Sequence, residues 1–319
     1  MSGQGQGSQE LEELLLGGQL RYTRVDAAEM TGVSKEFSER LWRSFGFAGP
    51  ADDVPAFSDS DLEALRRVKA LLDRGGSAEE FVLRQARALG QTMARLAEWQ
   101  TGIMLNGNGN GEGARLSEGY LAEMEPLVVY AWRRQLAASA ARALAEASDG
   151  DLPGRGQVAV GFADMVSFTA MSRELSELEL GRVVERFEET AADIVAAHGA
   201  RLVKTLGDEV LYAAADARVG VEIGMAISEA VREETEVPDV RVGMAYGPVL
   251  PLMGDIFGTT VNMASRLTSL ARPGTLVADP ALAAELEGDP DYELVRIVRR
   301  PVRGLGIIQP YVVRRSSQR

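Results

Sequence analysis

The apolar pattern of this chain changes once, near residue 157, and that change limits the folds open to it. Before it, apolar residues recur at the three- and four-residue spacing of amphipathic helices. After it, short β-branched runs alternate with helical segments. Two polar, glycine-rich segments, residues 106–113 and 148–156, interrupt the helical pattern of the first part. The pattern therefore predicts an all-α N-terminal domain followed by an α+β domain.

The predicted domain limits follow these breaks. Residues 1–19, rich in glycine, glutamine and serine, are predicted to form a flexible lead. A helical domain is predicted over 20–113, a connecting helix and linker over 114–156, and the α+β domain over 157–319. In the helical domain, Asp26 is predicted to cap a short helix through Met30, and Ser34 to cap a helix over Lys35–Phe45. In the α+β domain, one helix is predicted over Ala217–Glu233. In the same domain, the order strand, helix, hairpin, helix, strand predicts a ferredoxin-like βαββαβ core.

Composition excludes several classes of site. The 319 residues include no cysteine and one histidine, which excludes disulfide scaffolds, zinc–thiolate sites, iron–sulfur clusters and multi-histidine metal sites. With 34 basic and 47 acidic side chains the net charge is −13, which argues against a general nucleic-acid coat. An anionic substrate stays compatible with this charge where metal ions supply positive charge locally.

No segment resembles a membrane span or a secretion signal. The longest apolar run, Leu127–Trp132, is far shorter than the roughly 20 residues that a bilayer requires. The N-terminus lacks the basic-then-apolar layout of a signal peptide. The sequence therefore predicts a soluble, cytoplasmic protein without a membrane span.

A first motif, Phe162–Thr169, places a carboxylate where an apolar strand turns into a helix. Taken alone, Asp164 is more often a helix cap than a site residue. The functional interpretation makes Asp164 a metal ligand, with the turn around Phe168 and Thr169 binding phosphates through backbone N–H groups.

A second motif, Lys204–Glu209, has the composition of a hairpin turn at Gly207-Asp208. If the hairpin pairs with the first strand, its tip brings Asp208 beside Asp164. Two carboxylates in close proximity require a counter-charge, and Mg²⁺ prefers such oxygen ligands together with substrate phosphates.

A third motif, Gly254–Leu267, carries Asn262 and Arg266 four residues apart, on one helix face. The pair fits an ordinary solvated stripe. Facing a cleft, it fits instead a site that orients a sugar and neutralises a phosphate in the transition state.

Together and in this order, the motifs resemble the catalytic domain of the class III adenylyl/guanylyl cyclases over about residues 157–314. The resemblance implies two metal ions per active site, Mg²⁺ or Mn²⁺, in a homodimer whose chains contribute different residues to each site. It assigns three sets of residues: Asp164, Asp208 and the Met165 carbonyl to the metals, Asn262 and Arg266 to the transition state, and Lys204 and Asp255 to the base.

The base-selecting pair indicates ATP as the substrate. Adenine offers an acceptor at N1 and a donor at N6, which suit a lysine donor and a carboxylate acceptor respectively. Guanine has the opposite pattern, and guanylyl cyclases of the family typically carry other residues here, often Glu and Cys. The implied reaction is attack of the ribose 3′-OH on the α-phosphate, giving cyclic AMP and pyrophosphate.

One stretch departs from the family pattern. Where the family often has a triphosphate-binding lysine, this chain has Leu305, within Arg303-Gly304-Leu305-Gly306. Arg303 is predicted to contact the triphosphate in its place, with backbone groups as the alternative.

The N-terminal half resembles the helix-turn-helix of MerR-type regulators over Tyr22–Phe47 and Phe57–Gly75. Residues 1–120 hold 13 basic and 18 acidic side chains, so DNA binding is not expected. The layout resembles soluble actinobacterial class III cyclases, whose helical domain regulates the catalytic half. This implies a small-molecule, lipid or pH effector.

Three alternatives stay open at this point. The connecting helix over Leu116–Ala147 fits a dimer contact that transmits regulation, or an ordinary core helix. The chain could also be a non-catalytic nucleotide sensor, or a DNA-binding regulator with a cyclase-like sensor domain.

Overall fold

A computed structural model describes residues 10–49, 51–74, 78–106, 118–148, 156–234, 237–302 and 304–316. The chain divides into two compact units, residues 1–136 and 137–319. The division falls inside the segment predicted to connect the domains. The first unit is helical and the second is α+β, as the sequence predicted.

Besides a helical segment at residues 10–15, the described part of the helical unit contains four helices and a fifth that continues past the division. Their bounds are α1 Arg24–Thr31, α2 Lys35–Phe45, α3 Asp59–Asp73, α4 Glu79–Asn106 and α5 Glu118–Ser148. The helices α1 to α3 pack through a shared apolar core with the start of α4, centred on Phe37, Leu41, Phe57, Leu62 and Leu65.

Side-chain caps begin the helices α1, α2 and α3. Ser34 accepts a hydrogen bond from the Phe37 amide and caps α2, as its position predicted. The prediction that Asp26 caps α1 is wrong, because Thr23 is the cap and Asp26 is the third helical residue. The two form a capping box, in which the Asp26 carboxylate accepts from the Thr23 amide at 2.9 Å.

The helix α5 is the longest, at 31 residues, and it contains Pro126. The side chains described between residues 119 and 144 are exposed or at most half-buried. Of the helices in the described part of the chain, none combines the length and apolarity needed to cross a membrane.

The second unit alternates strands and helices in the predicted order. In chain order its elements are β1 Gln157–Met165, α6 Phe168–Glu174, α7 Glu177–Ala197, β2 Arg201–Thr205, β3 Glu209–Ala214, α8 Ala217–Glu233, β4 Val240–Pro248, β5 Leu250–Leu252, β6 Asp255–Phe257, α9 Thr259–Leu270, β7 Leu276–Ala278, α10 Pro280–Glu285, β8 Tyr292–Arg296, β9 Arg300–Val302, β10 Gly306–Ile308 and β11 Tyr311–Arg315.

The main sheet has seven strands in the order β2-β3-β1-β4-β7-β11-β8. Its first four strands, with α7 and α8 as connections, form the ferredoxin-like βαββαβ core that the sequence predicted. The β4–β7 pair is parallel, and the other pairs within this sheet are antiparallel. Two short ribbons, β5–β6 and β9–β10, stand apart from it.

Helices cover both faces of the sheet. The larger core includes Phe187 of α7 and Ile223 of α8 against the fully buried Tyr212 of β3. On the other face, Ala264 of α9 packs with Phe162 and Leu211. Because strand side chains alternate between faces, Asp164 shares the face of Phe162, on the side of α9.

A helix approaches the sheet closely at Gly243. A Cβ added there would lie 2.0 Å from the Thr268 amide nitrogen and 2.5 Å from the Ala264 carbonyl oxygen, both in α9. The absence of a side chain thus lets α9 rest directly on β4.

Replacing this glycine is expected to destabilise the fold. In Gly243→Ala the new methyl group meets backbone atoms, which cannot rotate away, so the free energy of unfolding should fall by about 1–3 kcal/mol. Denaturant unfolding of the full chain measures this. Gly181→Ala is the matched control, because that position in α7 is exposed with no atom within 4 Å of an added Cβ. It should be neutral or gain about 0.5–1 kcal/mol from helix propensity.

Candidate functional site

The strand β1 holds Asp164 between two charged neighbours. In the strand register, Asp164 lies opposite Arg241 of β4 on one side and Glu209 of β3 on the other. The Arg241 Nε donates to Asp164 Oδ2 at 2.6 Å, and the Asp164 residue is only 9% exposed. The carboxylate is therefore buried with one guanidinium as its counter-charge.

The tip of the β2–β3 hairpin lies against the end of β1. Gly207 takes a left-handed conformation, with φ 72°, that turns the chain into Asp208. The Met165 amide donates to the Asp208 carbonyl oxygen at 2.9 Å. The structure thus brings the segments carrying Asp164 and Asp208 together, as the hairpin pattern predicted.

Negative charge is concentrated at this point. Burial raises the pKa of Asp164, the hydrogen bond from Arg241 opposes this rise, and the Asp208 charge adds to it. Burial, together with the charges of Asp164 and Asp208, raises the pKa of Glu209 to about 7. Crowded carboxylates of this kind are stabilised by a cation.

The donors available here fit a hard divalent cation. Two carboxylates and a backbone carbonyl at Met165 offer the oxygen ligands that Mg²⁺ and Mn²⁺ accept. Within the described ranges, no group of three or more histidine, aspartate or glutamate side chains is arranged to hold a metal ion.

A second charged pair joins β2 to β6. Lys204 Nζ lies 2.6 Å from Asp255 Oδ2, and the two side chains are 33% and 26% exposed. Burial alone would raise the pKa of Asp255, but hydrogen bonds from Lys204 and from the Ile256 amide, the latter at 2.7 Å, bring it below its ordinary value. The two residues predicted to read the base are thus in direct contact.

The predicted transition-state pair lies on the outer face of α9. Asn262 and Arg266 are exposed, whereas Ala264, Leu267 and Thr268 on the inner face are buried. In the part of the chain that the structure describes, Arg266 forms no ion pair. Its side chain is exposed to solvent.

The remaining predicted substrate contacts differ in their surroundings. Phe168 is half-buried against the larger core, and Thr169 is exposed, both just after Ser167 with φ 63°. Arg303 lies outside the described residues. Leu305 is half-buried and packs with the cluster of Leu267 and Ile308, which explains an apolar residue there.

Two charged residues near Asp164 were missed by the sequence analysis. Arg241 is distant in sequence, and only the register of β1 with β4 reveals its pairing with Asp164. Glu209 follows Asp208 directly, and its place at the start of a β-strand was a usable signal.

Comparison with known proteins identifies the family. A family model of the adenylate and guanylate cyclase catalytic domain matches residues 152–315. The adenylate cyclase of Streptomyces coelicolor is 43% identical over 342 aligned residues, which cover 96% of this chain and 89% of that protein. A pH-sensitive adenylate cyclase of Mycobacterium tuberculosis is 29% identical over 93% of this chain and 80% of that protein.

Among solved structures, the adenylyl cyclase CyaB from P. aeruginosa aligns with 52% of this chain and 96% of its own, at 22% identity and a TM-score of 0.47. The family assignment does not depend on that likeness. Because the family model matches half of the chain and the Streptomyces relative aligns with nearly all of it, the chain belongs to the class III adenylate and guanylate cyclases.

Proposed function

We propose that this protein converts ATP to 3′,5′-cyclic AMP and pyrophosphate. The observation that carries the choice of ATP is the contact between Lys204 and Asp255, at 2.6 Å. Relatives named adenylate cyclase at 36–43% identity over most of the chain support the same activity.

The chemistry of this contact supports adenine as the base. The Lys204 ammonium can donate only, and the Asp255 carboxylate can accept only, so the pair matches adenine N1 and N6. Guanine in the same place would set donor against donor and acceptor against acceptor. Polar groups left unpaired in a half-buried site cost enough to discriminate by orders of magnitude.

The chain's own residues then position the reacting groups. Asp164, Asp208 and the Met165 carbonyl would hold two divalent cations, Mg²⁺ or Mn²⁺. Bound there, the cations would supply acidification of the ribose 3′-OH and positive charge against the triphosphate. Asn262 orients the ribose, and Arg266 stabilises the charge on the α-phosphate as the bond to pyrophosphate breaks.

The complete site is formed by two copies of the chain. The outward-facing Asn262 and Arg266 are free to reach a nucleotide held by another copy. Next to Asp255, the β5–β6 ribbon exposes large apolar side chains that a second copy would cover. These are Leu250, Leu252, Met253 and Phe257.

Mixing two inactive variants is expected to restore activity. Asp208→Asn removes a metal ligand and Arg266→Ala removes the transition-state cation, so each alone should lose activity by about 10²-fold or more. When equal amounts of the two variants pair at random, about half of the dimers are heterodimers, and each heterodimer has one intact site of two. The mixture should therefore reach about a quarter of the wild-type rate. Cyclic AMP formation measures both results.

Asp193→Asn, on the exposed side of α7, is the matched control and should keep full activity. Variants that dimerise but fail to complement each other would show that both residues act within one chain.

Removing the base-reading lysine is expected to change specificity as well as rate. In Lys204→Ala, kcat/KM for ATP should fall by about 10²-fold and the ATP-to-GTP ratio should approach one. Steady-state kinetics with both nucleotides test this. Lys69→Ala is the control, since Lys69 also pairs with an aspartate but lies in the helical unit. An equal loss for ATP and GTP would contradict a role in base selection.

The helical unit is proposed to regulate the catalytic unit. The relative described as pH-sensitive aligns with both units, which supports a regulatory input of this kind. A fragment of residues 150–319 should then turn over ATP several-fold faster than the full chain, with a different dependence on pH. Equal rates and equal pH profiles would contradict regulation by the helical unit.

A further inference from the structure

One face of α5 carries two apolar residues between two opposite charges. Glu123, Leu127, Tyr130 and Arg134 follow one another at spacings of four, three and four, so they share one helix face, here called the 123–134 face. All four residues are exposed, Leu127 by 55% and Tyr130 by 62%. Exposure of such large apolar side chains on one helix marks an interaction surface.

Most half-buried side chains of α5 lie to one side of the 123–134 face. Leu121, Met124 and Val128 are half-buried and project roughly 90–150° away from it. Tyr120 is also half-buried but lies seven residues before Leu127, in line with the 123–134 face, and Gln100 of α4 donates to its hydroxyl at 3.4 Å. The exposed part of this stripe therefore begins at Glu123. In the described part of the chain, neither Glu123 nor Arg134 takes part in an ion pair.

The spacing of the 123–134 face is that of the alternating a and d positions of a coiled coil. In an antiparallel pair of such helices, an a position of one helix faces a d position of the other. Two antiparallel copies of α5 related by a twofold axis near Val128 would then place Glu123 opposite Arg134 of the second copy. Leu127 would lie opposite Tyr130 of the second copy, between the two charged layers.

The charges select this orientation. The antiparallel pair forms two Glu–Arg contacts, and a twofold interface repeats each contact by symmetry. A parallel pair would instead set Glu123 against Glu123 and Arg134 against Arg134. Like charges opposite each other destabilise a helix pair, so the surface is complementary to itself only when antiparallel.

We infer that the 123–134 face binds the same face of a second copy, forming an antiparallel helix pair outside the cyclase domain. Charge complementarity of the face with itself identifies the occupant. The inference rests on no catalytic assignment, and the contact is separate from the one proposed at the active site.

Cross-linking tests the orientation, because the natural chain has no cysteine. Full-length Glu123→Cys and Arg134→Cys, distinguished by a size tag, should form a disulfide with each other when mixed and oxidised. Each variant alone should not, because equivalent residues are about 16 Å apart along the helix pair. The control is a mixture of Glu125→Cys and Arg133→Cys. These positions lie at nearly the same height along the helix pair but outside the 123–134 face, so they should not cross-link.

Charge reversal tests the energetics. Glu123→Arg or Arg134→Glu should weaken self-association by roughly tenfold, through two unfavourable contacts per dimer, and combining them should restore it. Sedimentation equilibrium of the full chain measures this. Glu125→Arg and Arg133→Glu, exposed on other faces of α5, should leave the dissociation constant unchanged.

Two outcomes would overturn the inference. Disulfides within each single variant, without the mixed one, would show a parallel pair. The second outcome is that no mixture cross-links and that the charge-reversal variants self-associate as strongly as their controls. It would show that the 123–134 face binds no second copy. Neither readout needs ATP or metal, so each is independent of the proposed catalytic activity.

Discussion

The pairing of β1 with β3 on one side and β4 on the other determines the chemistry available at the site. This register sets Asp164 between Glu209 and Arg241, and the hydrogen bond from the Met165 amide adds the Asp208 turn. A shift by one residue would turn the Asp164 side chain towards α7 and α8. The carboxylates can therefore meet only because the central strands are paired in this one way.

Much of this arrangement is predictable from local sequence. Lys35–Phe45 and Ala217–Glu233 were predicted with the bounds that the structure has, because caps and apolar spacing agree there. The short helix Pro280–Glu285 was missed, although its capping Asp279 and first-turn proline were visible signals. The cap of α1 was misassigned, since Thr23 and Asp26 are both good capping residues and only the hydrogen bonds distinguish them.

The candidate site was predictable where its residues lie within one motif or match a family pattern, and less so where it depends on strand pairing. Local motifs contain Asp164, Asp208, Lys204 and Asp255. The structure places the segments of Asp164 and Asp208 side by side, and it places the side chains of Lys204 and Asp255 in contact. The partnership of Arg241 with Asp164 joins residues far apart in sequence, so no local pattern contains it. Leu305 departed from the family pattern for a packing reason that only the folded core reveals.

The contact between Lys204 and Asp255 has a consequence for how the nucleotide is held. In the free chain each group already satisfies the other, so a base that enters between them exchanges one charge-assisted hydrogen bond for two contacts of its own. In the proposed reaction the broken contact offsets part of what the base gains, so the phosphates contribute much of the affinity for a nucleoside triphosphate. Cyclic AMP would keep the base but has lost two of those three phosphates, so the proposed site would hold its product less tightly than its substrate.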